Sequence, residues 1–407
     1  MEISKRESEE KPSKKETKIQ IFKTLFRNNI RQYGMIIALA FIIILFQILT
    51  NGILLKPLNI TNIILQNSYI LILAIGMLLV IITGNIDLSV GSVAAFIGAV
   101  SAILMIRMNI SVTAAVLICL IIGGLIGAWQ GFWIAYVKIP AFIVTLGGML
   151  IFRGLTMVTL KGMSIAPFPY EFRKISSGFI PDFLGTGNYH IVTIVIGIIL
   201  SIFYVLWELK ERKAQIKYNF DVIPKEFLIA KLIALLIVIN VFCFILAGYE
   251  GIPNILIVLF ILIAIYSFVT QNTVAGRHIY AIGGNEKAAK LSGIKTKQTI
   301  LWVYVNMGIL AALSGLIFAA RLNAATPKAG TGFELDAIAA VYIGGASASG
   351  GIGTVIGAIV GGLVMGVMNN GMSLIGLGID WQQAIKGLVL LLAVAFDIFT
   401  KSKSAKE

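Results

Sequence analysis

Four stretches near the start of the chain, Tyr33–Leu55, Pro57–Ile86, Leu88–Ile106 and Met108–Val137, contain no charged residue. Each is close to or above the roughly 20 residues that cross a bilayer as a helix. In hydrocarbon such a run has to satisfy its own backbone N–H and C=O groups, which restricts it to helix. The rest of the chain continues the pattern: of 407 residues, 58% are apolar and 13% charged, too little charge to cover a water-soluble surface. The expected fold class is therefore an all-α polytopic membrane protein.

The 33 Lys and Arg exceed the 19 Asp and Glu, a balance that in a soluble protein would suggest nucleic acid. Here the basic residues cluster in Met1–Arg31, Lys210–Lys225, Arg277–Lys297 and Lys401–Lys406, the pattern of cytoplasmic loops between spans, so nucleic acid is not an expected partner. The N-terminal 30 or so residues mix both signs without a signal-peptide pattern, and residues 1–32 read as a disordered cytoplasmic tail. Spans are expected near 33–54, 60–83, 88–107, 112–134, 141–160, 190–207, 227–247, 253–270, 299–320, 352–372 and 381–399, with a short apolar piece at 335–349. Counting that piece gives about twelve crossings, with both termini cytoplasmic. A single membrane domain, residues 33–400, and a short tail, 401–407, result. Lys161–Tyr189, with Pro167, Pro169 and Pro181, reads as an ordered outer loop.

Cys119 and Cys243 both lie in apolar runs, and His190 and His278 are far apart, so neither a disulfide framework, a metal site nor a catalytic set is indicated. No GxxxxGK[ST] motif is present, so the chain cannot cradle ATP phosphates by a P-loop of its own. The run GGIGTVIG has the wrong spacing for a dinucleotide fingerprint and falls in an expected span. Gly123, Gly127 and Gly131, like Gly353, Gly357 and Gly361, recur every four residues. That spacing suits close helix packing, within the chain or between subunits. Trp207, Trp302 and Trp381 fall near expected span ends, where amphipathic rings favour the interface.

Three polar interruptions carry the functional expectations. In GNIDLSVGS (Gly84–Ser92), Asp87 stands between two long apolar runs, where a carboxylate lines a pathway or, with Ser89, caps the next helix. Near the C-terminus, Asn369, Asn370, Trp381, Gln382 and Gln383 offer amides and an indole that suit a neutral polyhydroxylated ligand, and equally suit capping and interface anchoring. Lys386 and Arg153 are expected to snorkel. In GRHIYAIGGNEKAAKLSGI (Gly276–Ile294), Asn285 is expected to cap a two-turn helix, Glu286–Ser292, with Lys290 in its last turn and Gly293 at C′. Ala288, Ala289 and Leu291 give it a small apolar surface. Such a helix is marginal alone in water, so it lies either on its own bundle or against a cytoplasmic partner.

These three segments, taken in order with GGASASGGIGTVIGAIVGGLVMGVMNNGMSLIGLGIDWQQAIKGLVLLLAVAFD as the third block, resemble the signature segments of bacterial ABC-type monosaccharide permeases, the ribose/xylose/galactoside group. The resemblance covers much of residues 60–398. It implies a permease subunit, usually a homodimer embedded in membrane lipid, that works with a cytoplasmic ATPase holding the MgATP and with an extracytoplasmic sugar-binding protein. It also implies that Gly284, Asn285, Glu286, Lys287, Ala288, Ala289, Lys290 and Gly293 form the coupling element, within a loop at 271–298. Family members commonly carry Pro where Glu286 stands. Residues 208–271 add an apolar pair to the ten spans of ribose-type members, a longer form similar to xylose-type permeases, so D-xylose or a related pentose is the expected cargo. Another sugar, a branched-chain amino acid, a nucleoside or an autoinducer is the alternative cargo. An ion-coupled carrier would want more intramembrane carboxylates than Asp87 and the end-lying Asp397.

Overall fold

The computed structural model describes residues 30–404 apart from 186, 219, 221 and 223; the expected tails at 1–32 and 401–407 lie outside the described residues except where terminal helices run into them. The described residues are overwhelmingly helical and contain no strand, only the isolated bridges Ile165–Ala325 and Phe179–Pro253. In chain order the helices are α1 (Ile30–Leu49), α2 (Pro57–Ile82), α3 (Val90–Ala102), α4 (Val112–Phe132), α5 (Ala141–Leu160), α6 (Tyr170–Ser177), α7 (Ile191–Lys217) and α8 (Lys225–Ala247). There follow α9 (Asn254–Asn272), α10 (Val274–Gly284), α11 (Glu286–Leu291), α12 (Thr296–Leu322), α13 (Phe333–Ile343), α14 (Val355–Leu374) and α15 (Ile379–Ser404). Short π-helical turns, Ile103–Arg107 and Trp133–Val137, extend α3 and α4. Nine helices among the described residues are long and apolar enough to cross a membrane, so the chain is a polytopic, all-helical membrane protein.

Helix α2 is the buried centre: 83% of its most apolar window is enclosed, against 11% for α8. Helix α12 packs on α2, α3 and α4, and it does so backbone to backbone. A Cβ added at Gly127 would stand 2.1 Å from the Tyr304 carbonyl oxygen, and one at Gly308 would stand 2.1 Å from that of Gly123. One turn pair higher, Gly315 leaves the same room for Ala94. The α4 glycine stripe therefore packs within the chain, and the C-terminal one does too, since Gly357 and Gly361 lie on Gly344 and Ala340. The C-terminal stripe differs in one respect from the sequence expectation. Gly353 precedes the helix in a turn whose neighbours Gly350 and Gly351 both have positive φ, so GGIGT is a bend and the span begins at Val355.

The short apolar piece is α13, eleven residues and so about 16 Å long, roughly half a hydrocarbon core. It starts beside Gly91, with Gly330 packed on that residue's carbonyl. Beyond its end, a glycine-rich stretch reaches Ile82, whose carbonyl accepts the Gly351 N–H at 2.9 Å. Helices α7 and α8 form a peripheral hairpin, whereas α9, which also falls within residues 208–271, packs on α2, α6, α10 and α14. In the 161–189 segment α6 is formed, and Asp182 accepts the Ile191 N–H at 2.8 Å at the start of α7.

Lys386 does not snorkel. Its Nζ lies 3.0 Å from Asp336 Oδ1 and 3.2 Å from Oδ2, tying α15 to the first turn of α13. Arg153 likewise turns to protein, donating to the Ala329 carbonyl at 2.9 Å and the Thr331 hydroxyl at 3.0 Å. Asp336 is 7% exposed and Lys386 26%, so removing the lysine strands a carboxylate in the bundle. Lys386→Met should cost about 3 kcal/mol of stability, and adding Asp336→Asn should recover most of it, as read by melting of the detergent-solubilised chain. In the same assay Gly127→Val, which overpacks the α4–α12 contact by at least ~1–3 kcal/mol, should melt well below wild type. Gly98→Ala, whose Cβ meets nothing nearer than 3.6 Å, should melt beside it.

Candidate functional site

At one end of the bundle three backbone segments meet: the end of α2 (Ile82–Gly84), the end of α10 (Gly283–Gly284) and the bend before α14 (Gly350–Gly353). A Cβ at Gly283 would lie 1.7 Å from the Ile82 carbonyl oxygen and 2.5 Å from the Gly351 nitrogen, so only glycine fits. Tyr280 on α10 donates its hydroxyl to the Gly353 carbonyl at 2.6 Å, closing the triangle. At Gly284, by contrast, a Cβ would meet nothing within 4 Å.

From this clamp α11 projects. Its local sequence behaves as its chemistry dictates: the Asn285 side chain accepts the Ala288 N–H at 3.0 Å, Glu286 and Lys290 occupy opposite ends of the dipole, and Gly293 takes φ +86° just past the end. Ala289 is buried against the bundle, whereas Gly284, Asn285, Glu286, Lys287, Ala288, Lys290 and Gly293 are exposed. Leu291 is 90% exposed. A two-turn helix thus presents a leucine and a row of charges outward, supported only along the Ala289 edge.

The expected pathway residues separate into two places. Asp87 and Ser89 lie in the irregular link between α2 and α3, both buried. Asp87 Oδ1 accepts the Ser89 N–H at 2.8 Å and its hydroxyl at 2.6 Å, and Gln130 Nε2 donates to the Ser89 hydroxyl at 2.8 Å. The two residues thus hold the irregular link and the start of α3 together, with the carboxylate bonding the N–H two residues on; the Ser89 side chain itself makes no cap. Asn370 lies at the far end, in a reciprocal amide pair with Asn59 at 2.9 and 3.1 Å, while Asn369 leaves its buried Oδ1 unpaired. Gln382 donates to the Leu377 carbonyl at 2.8 Å and closes the α14–α15 turn, with Trp381 and Gln383 exposed beside it.

Four groups escaped the sequence reading. Gln130 is a lone polar residue in an apolar run and Asn59 one of several polar residues at the start of α2, and each completes a bond to an expected site residue. Glu334 and Asp336 sit in the first turn of α13, both buried, with Glu334 Oε2 unpaired. Their signal was present as two acidic residues at the head of a half-length apolar piece. They add buried carboxylates to the bundle beyond Asp87.

Over residues 59–394 the chain matches the family described as branched-chain amino acid transport system / permease component. It is 39% identical to the xylose transport system permease protein XylH of Haemophilus influenzae, over 92% of this chain and 98% of that protein. The XylH protein of Escherichia coli K12 is 37% identical over 92% and 94% of the two chains. The ribose import permease protein RbsC of Escherichia coli K12 is 35% identical over 83% and 85%. No solved structure matches. A matched span of this length, on a bundle of membrane-length apolar helices, places the chain in the branched-chain amino acid transport system / permease component family as a multi-pass membrane permease.

Proposed function

We propose that the chain is the membrane-spanning subunit of an ATP-driven ABC importer of the bacterial inner membrane, carrying D-xylose or a related pentose inward by alternating access. The observation that carries this reading is α11: a capped, outward-facing helix whose root is fixed in the bundle through Gly283. ATP chemistry belongs to a separate cytoplasmic ATPase, since this chain has no P-loop motif. What its own residues supply is transmission. A push on α11 is delivered through Gly283 and Tyr280 to the end of α2 and to the bend before α14, because neither contact has slack. The end of α2 leads directly into the Asp87–Ser89 link, so displacement there reaches the break between the buried α2 and α3.

The cargo follows the relatives, two of which are named for xylose and one for ribose. Homodimer formation is supported by α5, whose Gly147 and Gly154 have open space where a side chain would be and whose Leu150 and Val158 are exposed. The ordered outer loop, with α6, offers a face to a sugar-binding protein. The decisive substitution is Leu291→Asp. Leu291 is 90% exposed among the described residues, so the variant should fold and melt as wild type while ATP-dependent pentose uptake in proteoliposomes falls by at least tenfold. Wild-type uptake by this variant would remove α11 from the mechanism.

A further inference from the structure

Beside α11 lies an open cavity of about 780 Å³, walled by the residues that follow α2 (Thr83–Asn85), the end of the α4 extension and its passage into α5 (Ile134–Ala141), α11 and the start of α12. Five lysines line it: Lys138 from the α4–α5 link, Lys287 and Lys290 from α11, and Lys295 and Lys297 from the start of α12. All five are exposed, and no carboxylate lies within 4 Å of any of them among the described residues. The cavity's single acidic lining residue is Glu286. Lys297 rests near the Tyr136 ring at 5.7 Å, which sets its position on the rim.

Cytoplasmic loops are basic in general, but a general bias spreads lysines along loops. Here Lys138 and Lys287, 149 positions apart, converge with three further lysines on one recess, leaving several like charges around a shared concavity. Such an arrangement focuses a positive potential and is relieved by a complementary anion. A partner seated on Lys290 also borders this recess, because Lys290, with Glu286 and Lys287, forms its α11 wall. We infer that the cavity receives an acidic segment of the ATPase subunit that docks on α11. The inference rests on the reading of α11 as the docking helix and adds a second, electrostatic contact reaching the α4–α5 link. Of the five lysines, Lys138 alone lies outside α11 and its loop.

The test is association of the full-length chain in lipid nanodiscs with the separately purified ATPase of the same transport system, followed across sodium chloride concentrations. Lys138→Glu and Lys297→Glu should each slow association at low salt by roughly tenfold, at the low end of electrostatic steering. The difference should shrink towards 0.5 M salt, as screening requires (~10 Å Debye length at 0.1 M, about 3 Å at 1 M). Lys138→Arg should retain wild-type rates, which separates charge from misfolding. Wild-type association by both reversal variants at low salt overturns the inference, and the α11 reading survives that result if Leu291→Asp still blocks docking. If instead the reversals abolish retention of phosphatidylglycerol over phosphatidylcholine without affecting ATPase association, the recess holds lipid headgroups and the inference is wrong.

Discussion

The bundle depends on helices that touch through their backbones. In hydrocarbon, apolar side chains gain nothing by leaving lipid for one another, so association rests on close van der Waals packing. Gly123 and Gly127 on α4 meet Tyr304 and Gly308 on α12, and Gly315 meets Ala94 on α3. Those contacts fix α12 against α2, α3 and α4 at once, and α12 is the helix that α11 leads into. Whatever moves α11 therefore works against a helix that cannot slide without separating carbonyls from glycines.

The same economy of side chains appears at the junction of α2, α10 and the bend before α14. A Cβ at Gly283 would collide with Ile82, and Gly351 bonds to the same carbonyl. Three segments that are remote in sequence thus act as one piece. One of them continues into α11 and another into the Asp87 link. A rigid joint between a surface helix and a break in a buried span is what transmission across a membrane domain requires.

Much of this was legible in the sequence, because the signals are local. Charge-free runs gave apolar helices of membrane length, and Asn285, Glu286, Lys290 and Gly293 gave α11 almost to the residue. Glycine every four residues gave close packing, though not its partners. What sequence could not supply is pairing at a distance. Lys386 near a span end looks like a snorkelling residue until Asp336, fifty positions earlier, is placed within 3.0 Å of it. The amide of Asn370 is bonded to Asn59, 311 positions earlier, a pairing that no local pattern signals. Gly283, not Gly284, is the glycine that the Ile82 carbonyl holds in place, and no local pattern separates the two. Each of these depends on where two helices cross, which a single chain's periodicity does not encode.

The most direct measurement is site-specific cross-linking in native membranes. With Cys119 and Cys243 replaced, a single cysteine at the exposed position Ala288 on α11 should join the chain to its ATPase subunit under mild oxidation or a short bifunctional reagent. A cysteine at Tyr170 on α6, at the opposite end of the bundle, should not. Cross-linking from Tyr170 but not from Ala288 would contradict the account, since it would place the ATPase on the other face of the membrane and leave α11 without a partner.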